Sequence, residues 1–399
     1  MLIGYNQICI NPIKPTIHVG IFAPKTSLIN VRGDLYARCL RLKNAKQNLI
    51  IIAFDSLGIT SDIQAQIEEK IKAELNEEVS FIFSSTHTHY APSLCNMHGL
   101  INVDRPYLEY TIRKVALMVK NCRLQEKNIT VSYNWESFSN VGQTRISNKA
   151  NDNIYAGALS FFDSHSRIGN IVFYNCHPTT PQNNANYFTS EYPGSALETL
   201  TKKNPSEFFI FLQGADGDVS TRLTRKNNNY EEITRLGNEM AGVFLRLMSK
   251  NQLSVKKPLT LDYDFGRLEI HNQLKEVPML NDKQKSEMTE KEIKELMTGI
   301  TFVTSMKDQL KPHLSTIQIS FLKIGPYRLI FSPFELFSDY NDYIDKDRTL
   351  LVCYSQGLVG YLTQPGNKHL SYEYLIELQT EEDKQNIIRL IRQLNNEPL

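Results

Sequence analysis

The chain lacks an excess of either charge: 44 basic and 43 acidic residues leave a formal net charge of +1 over 399 residues. That balance argues against a nucleic-acid footprint or a polybasic membrane patch. Cysteine is scarce and scattered. The six residues (Cys9, Cys39, Cys95, Cys122, Cys176 and Cys353) form no C-x-x-C pair and no dense framework. This excludes a disulfide scaffold and predicts reduced thiols, most of them buried. No apolar run approaches the ~18 residues of a membrane span. Met1–Asn6 lacks the basic region and long apolar core of a secretory signal, so the expected compartment is the cytoplasm. Internal repeats, low-complexity tracts and a Pro/Gly linker are also missing. The expectation is one catalytic domain over residues 1–399, long enough for a sizeable core.

Strand-like apolar runs recur at Leu49–Phe54, Val79–Phe83, Ile171–Tyr174, Phe208–Leu212, Ile317–Leu322, Tyr327–Phe331 and Leu350–Tyr354. Apolar residues at three- and four-residue spacing predict helices over Ile63–Leu75, Tyr107–Val119 and Ile233–Met248. Ile129–Trp135 and Leu259–Ile270 read as half-exposed antiparallel strands. The predicted fold class is therefore α/β, a mixed β-sheet core flanked by helices. Glu276–Lys311 is dense in Lys, Glu, Asp, Gln and Met and reads as a charged helical insertion, either a solvated face or a cover over a site entrance. Thr380–Leu394 reads as a terminal amphipathic helix carrying Ile387, Ile388, Leu390 and Ile391.

The polar residues that matter stand where apolar strands stop. Phe81-Ile82-Phe83-Ser84-Ser85 runs into Thr86-His87-Thr88-His89. Histidines two residues apart on an extended chain share a face, so both imidazoles can enter one site. A second strand ends in Cys176-His177-Pro178, and a third in Gln213-Gly214-Ala215-Asp216-Gly217-Asp218-Val219-Ser220, whose glycines predict a tight loop with exposed N–H groups. A fourth ends in Ser332-Pro333-Phe334-Glu335, an acid among apolar neighbours that is costly to bury unless paired or bound to metal. Leu350–Tyr354 is followed by Gly360-Tyr361-Leu362-Thr363. Imidazole nitrogen with carboxylate and phenol oxygen suits zinc, and an open position marks a catalytic ion. The plain alternatives stay open: strand-end histidines satisfied by the backbone, an acid at a helix N-terminus, and a core tyrosine.

Together these motifs (T-H-T-H-x-A-P, Q-x-x-x-G-D-V-S, P-x-E-L-F, G-Y-L-T, then Y-E) resemble the neutral, non-lysosomal ceramidase family. Ile10-Asn11-Pro12, Asp34-Leu35-Tyr36-Ala37-Arg38 and Ala53-Phe54-Asp55 are similar to its opening, so the resemblance runs from about residue 3 to about residue 375 in order. It implies that His87, His177, Glu335 and Tyr361 hold one Zn²⁺ per chain, with His89 beside the metal. It places Arg145 and Tyr372 in the active site, Tyr374 being the rival for the second position. Ser220 would hydrogen-bond substrate or act as a nucleophile, with Asp218 shaping its loop. The implied reaction is hydrolysis of an amide in a small-molecule or lipid-like N-acyl substrate by a zinc-activated water. An esterase or lactonase, or an inactive binding protein on the same fold, are the alternatives.

The sequence also departs from the family. Tyr90, Ser93-Leu94, Thr221-Arg222 and Pro365–His369 replace family residues around the site, and the family's C-terminal immunoglobulin-like domain is not found. The resemblance therefore reaches the metal donors more firmly than the substrate walls.

Overall fold

The computed structural model describes all residues except 18, 20–26, 97–100, 147–148, 182–184, 251–256, 279–285, 287, 368 and 397–399. Among the described residues three large β-sheets carry the chain, with two two-stranded sheets beside them. In the first, Leu2–Cys9, Tyr36–Lys43 and Asn48–Phe54 form an antiparallel meander. Helix Ser61–Leu75 then carries the chain to Ser80–Ser85, which pairs in parallel with Asn48–Phe54. The second sheet repeats this plan. Thr130–Ser137, Tyr155–Phe162 and Arg167–Tyr174 form the meander, helix Glu191–Lys203 crosses over, and Phe208–Gln213 adds in parallel. The third has Leu261–Asn272, His313–Ile324 and Tyr327–Phe331 with Thr349–Val352 in parallel beside the last. A topology that occurs three times thus underlies a sequence without repeats. Side-chain alternation and burial specify a meander, and many unrelated residues satisfy both.

Alternation also explains the layering. Leu49, Ile51 and Ala53 face inward, as do Ile171 and Phe173 of the second sheet and Leu329 and Phe331 of the third, so the three sheets share one apolar core. The intervening residues face helices. Ile50, Ile52 and Phe54 meet Ile63, Ile67 and Val115. Val172, Phe209 and Phe211 meet Leu200, Met240 and Phe244. Ile319, Phe321 and Ile330 meet Ile387, Ile388 and Ile391 of the terminal helix Glu381–Asn396. Strands buried on both faces read as the continuous apolar runs seen in the sequence. Each fully buried Leu, Ile or Phe contributes about 1.5–3 kcal/mol.

The mixed α/β architecture is as expected, and among the described residues the structure adds three long strands (Leu2–Cys9, Tyr36–Lys43, Tyr155–Phe162), several strands of two or three residues, and helices Glu191–Lys203 and Tyr372–Ile376. Of the charged insertion, Glu290–Met306 is helical and begins at a Thr289/Glu292 capping box, while 279–285 and 287 lie outside the described residues. All six thiols are free, and all but Cys9 are buried. No helix among the described residues is long and apolar enough to cross a membrane.

The parallel edge strands of the three sheets meet at their C-terminal ends. Ser84 bridges Ser355, Gly214 bridges Val352, and the Cys353 N–H donates to the Gln213 carbonyl at 2.9 Å. Strand ends from all three sheets are thereby brought to one place.

Candidate metal centre

His87 follows the fourth strand of the first sheet and His177 the third strand of the second. Glu335 lies just past the third strand of the third sheet. Glu335 belongs to a short strand, Phe334–Leu336, that pairs in parallel with Gly360–Leu362 and sets Glu335 opposite Tyr361. It is therefore not at a helix N-terminus. Gly217 allows this arrangement, since a Cβ there would stand 2.5 Å from the Glu335 carbonyl oxygen. His87 has φ +65°, a left-handed conformation that costs a non-glycine residue about 1–3 kcal/mol and persists where its surroundings over-determine it.

The hydrogen bonds settle the imidazole tautomers. His87 Nδ1 lies 2.7 Å from the Leu57 carbonyl oxygen and His177 Nδ1 2.8 Å from that of Asp216. A carbonyl can only accept, so each Nδ1 carries the proton and each Nε2 presents a lone pair. His177 Nε2 lies 3.2 Å from Glu335 Oε2 and 3.4 Å from the Tyr361 hydroxyl. His87 Nε2 lies 3.5 Å from the same carboxylate oxygen. Two lone pairs and an anionic oxygen aimed at one another in a buried site repel unless a positive charge lies among them, a metal ion or a second proton on an imidazole.

His89 Nε2 is 3.3 Å from His87 Nε2, and its buried Nδ1 has no hydrogen-bond partner among the described residues. The ligand atoms of His87, His89 and His177 all lie within 4.8 Å of one another. These donors fit a metal ion in two overlapping sets that share His87 and His177. One adds a third imidazole, His89; the other adds the oxygens of Glu335 and Tyr361.

The groups of this cluster shift one another strongly. Burial pushes the Glu335 carboxyl up, but the His87 and His177 imidazoles outweigh it and hold the group well below the usual carboxylate range. Burial, then the charges of His87 and His177, keep His89 well below the usual imidazole value. Burial disfavours protonated His177, yet Asp216 and Glu335 together raise it. Burial and then Glu335 push both the Tyr361 and Tyr372 phenols up.

The structure gathers the remaining candidates around this centre. The Tyr372 ring meets that of Tyr361 edge-on at 6.0 Å, whereas Tyr374 turns its ring face to Lys275, 3.8 Å away. Arg145 stands 6.0 Å over the Tyr361 ring, donates to the Gly217 carbonyl and pairs with Glu373 at 3.0 Å. Ser220 is buried and bridges His177 through the backbone. Its Oγ accepts the Arg222 N–H at 3.4 Å, and among the described residues no imidazole hydrogen-bonds it. Asp218 accepts from Lys149, Thr144 and both the N–H and hydroxyl of Ser338. The N–H groups of this loop are not exposed as expected. Gly217 N–H donates to Leu336 of the short strand Phe334–Leu336, and Val219 N–H donates to Asp216 within the loop.

Sequence reasoning assigned no role to Tyr354, Asp216, Glu373 or the Leu57 carbonyl. The first two were findable in principle: like the histidines, they stand where an apolar strand stops.

No family model matches the sequence, and no curated protein matches it. Solved structures do. A ceramidase complexed with C2 and the neutral ceramidase from Pseudomonas aeruginosa each superpose with a TM-score of 0.75 at 14% identity. Each comparison covers 99% of this chain and 74% of the other. This chain therefore has the fold of the neutral ceramidases.

Proposed function

We propose that this protein is a zinc-dependent hydrolase of N-acyl amides, with the ion held by His87, His177, Glu335 and Tyr361. The observation that carries the reading is the pair of backbone-locked imidazoles whose Nε2 lone pairs face one carboxylate oxygen. Zinc bound there would supply a Lewis acid and a water of lowered pKa. His89, whose Nε2 lies 3.3 Å from that of His87, stands beside the ion and is the imidazole placed to pass a proton to a leaving amine. Tyr372 keeps its phenolic proton and donates to the acyl oxygen as charge develops there; such a donor is often worth about 3–4 kcal/mol. Arg145, neutralised by Glu373, orients Tyr361 and the loop at Gly217. Ser220 caps the turn Thr221–Leu223 that follows it.

The amide substrate rests on the two structural neighbours, both named as ceramidases, since ceramide is an N-acyl amide. The helix Glu290–Met306 is read as one wall of the entrance. Glu295 pairs with Arg222 at 2.7 Å, two residues past Ser220, and Gly299 lets the helix approach Leu375 and Tyr372.

The test is metal content by mass spectrometry of wild type beside His177→Ala, followed by a screen of N-acyl amides with the zinc-loaded protein. One zinc per chain that the variant loses, with amide turnover, is the expected result. Zinc kept in the variant would end the ligand assignment.

A further inference from the structure

Each sheet sends the end of its fourth, parallel strand to the same place, and three residues stand there: His87, Asp216 and Tyr354. They are in contact as a chain. The Tyr354 ring stacks on His87 with centroids 3.8 Å apart and planes 16° from parallel. The same ring presents an edge to His177, with centroids at 6.3 Å and an angle of 86°. Its hydroxyl donates to Asp216 Oδ1. Asp216 Oδ2 accepts from Gln213 at 2.6 Å and lies 3.3 Å from His177 Nδ1, whose proton goes to the Asp216 backbone carbonyl. Tyr354 and Asp216 are both fully buried. Tyr354, with φ +51°, joins His87 in the left-handed region, and its carbonyl accepts the Ser85 N–H at 3.1 Å. Two non-glycine residues in contact, both held in a disfavoured conformation, mark an arrangement that its surroundings enforce.

We propose that Tyr354 and Asp216 act together as the positioning unit of the metal centre, tying His87 of the first sheet to His177 of the second through the third. The proposal rests on the metal-centre reading above. One hydrogen bond at Nδ1 leaves an imidazole free to tilt about that bond. For His87 the stacked Tyr354 ring removes this freedom. For His177 the carboxylate beside Nδ1 fixes the ring and makes its Nε2 a stronger donor. The Tyr354 hydroxyl links the two, so a tilt of either ring is resisted by both. Without such a link, two donors on separate sheets would keep their spacing only as well as the sheets keep theirs.

The test measures zinc affinity, by competition with a chromogenic chelator, for wild type, Tyr354→Phe, Asp216→Asn and the double variant. The visible spectrum of each cobalt-loaded protein and the urea midpoint of each metal-free protein are recorded alongside. Tyr354→Phe keeps the stacked ring and removes only the hydroxyl. It should weaken zinc about tenfold, and Asp216→Asn by about 10- to 100-fold, as for other groups that orient metal ligands. The double variant should bind no more weakly than Asp216→Asn alone, because the hydroxyl acts through that carboxylate. Both single variants should shift the cobalt bands while the metal-free protein stays folded. A folded Tyr354→Phe that binds zinc as wild type does, with an unchanged cobalt spectrum, overturns the proposal. So do single effects that multiply in the double variant. Wild type that binds no zinc would overturn the metal-centre reading itself, and this proposal with it.

Discussion

Arg145 and Glu373 form an ion pair beside the metal centre, 3.0 Å apart, with each side chain only 7% exposed. Burial opposes the charge of Arg145, but Glu373 and Tyr361 outweigh it and hold the guanidinium firmly protonated. The pair braces the Tyr372 helix against the loop at Gly217. Glu373→Gln leaves a buried cation without its partner and should cost about 3–5 kcal/mol in urea unfolding. Replacing both members, as Arg145→Met with Glu373→Leu, should cost less than the single change. A single change within experimental error of wild type would show that the pair does not brace the fold.

Zinc should stabilise the folded chain through its ligands. At a free concentration 100 times its Kd, it should add about 2.7 kcal/mol to unfolding, read as a higher Tm that a chelator reverses. His87→Ala and Glu335→Ala should show no such rise. An equal rise in all three proteins would place the ion elsewhere.

Glu191 gives a pH dependence with a definite sign. It is fully buried, accepts the N–H groups of Thr180 and Tyr192, and so anchors the loop that follows His177. Burial pushes its carboxyl up to about 7 from about 4.5, against those hydrogen bonds and the charge of Arg225. Between those values the folded chain holds a proton that the unfolded chain has released. The contribution is fully present below about 4.5 and is lost as pH rises through about 7, a loss of about 3 kcal/mol. The stability difference between wild type and Glu191→Gln should therefore move against wild type between about pH 5 and about pH 8. A constant difference across that range would refute the assignment.

The Arg222–Glu295 pair should matter for substrate rather than for stability. Both side chains are 32% exposed, and pairs of that kind contribute about 0–1 kcal/mol. Glu295→Arg should leave the urea midpoint and zinc content near wild type. If the helix walls the entrance, it should shift KM for an N-acyl amide roughly 3- to 10-fold, the scale of a ~1 kcal/mol interaction. The charge-swapped double variant, Arg222→Glu with Glu295→Arg, should recover most of that change. An unmoved KM would separate the helix from substrate access.

Much of this architecture is local and was therefore readable in order along the chain. An apolar run such as Ile50–Phe54 can only be a strand buried on both faces, and a polar residue placed just after such a run, as at His87 or His177, must sit at a strand end. Amphipathic spacing likewise declared the helices at Ser61–Leu75 and Tyr230–Lys250. The threefold topology was not legible, because packing asks only for alternation and leaves residue identity free. Nor was the direction of a side chain within a short helix: Tyr372 and Tyr374 differ by two positions, and only docking turns one towards Tyr361 and the other towards Lys275.

By itself, then, the sequence determined which segments become strands and helices and which residue types end them. Tertiary structure alone decided that ends from three sheets coincide, bringing His87 and His177 within 3.5 Å of one carboxylate oxygen of Glu335. It alone made Tyr354 a neighbour of both histidines and set Asp216 beside His177. The physical reason is range: strand and helix formation follow from patterns a few residues long, whereas those contacts depend on how whole sheets bury their inner faces against one another.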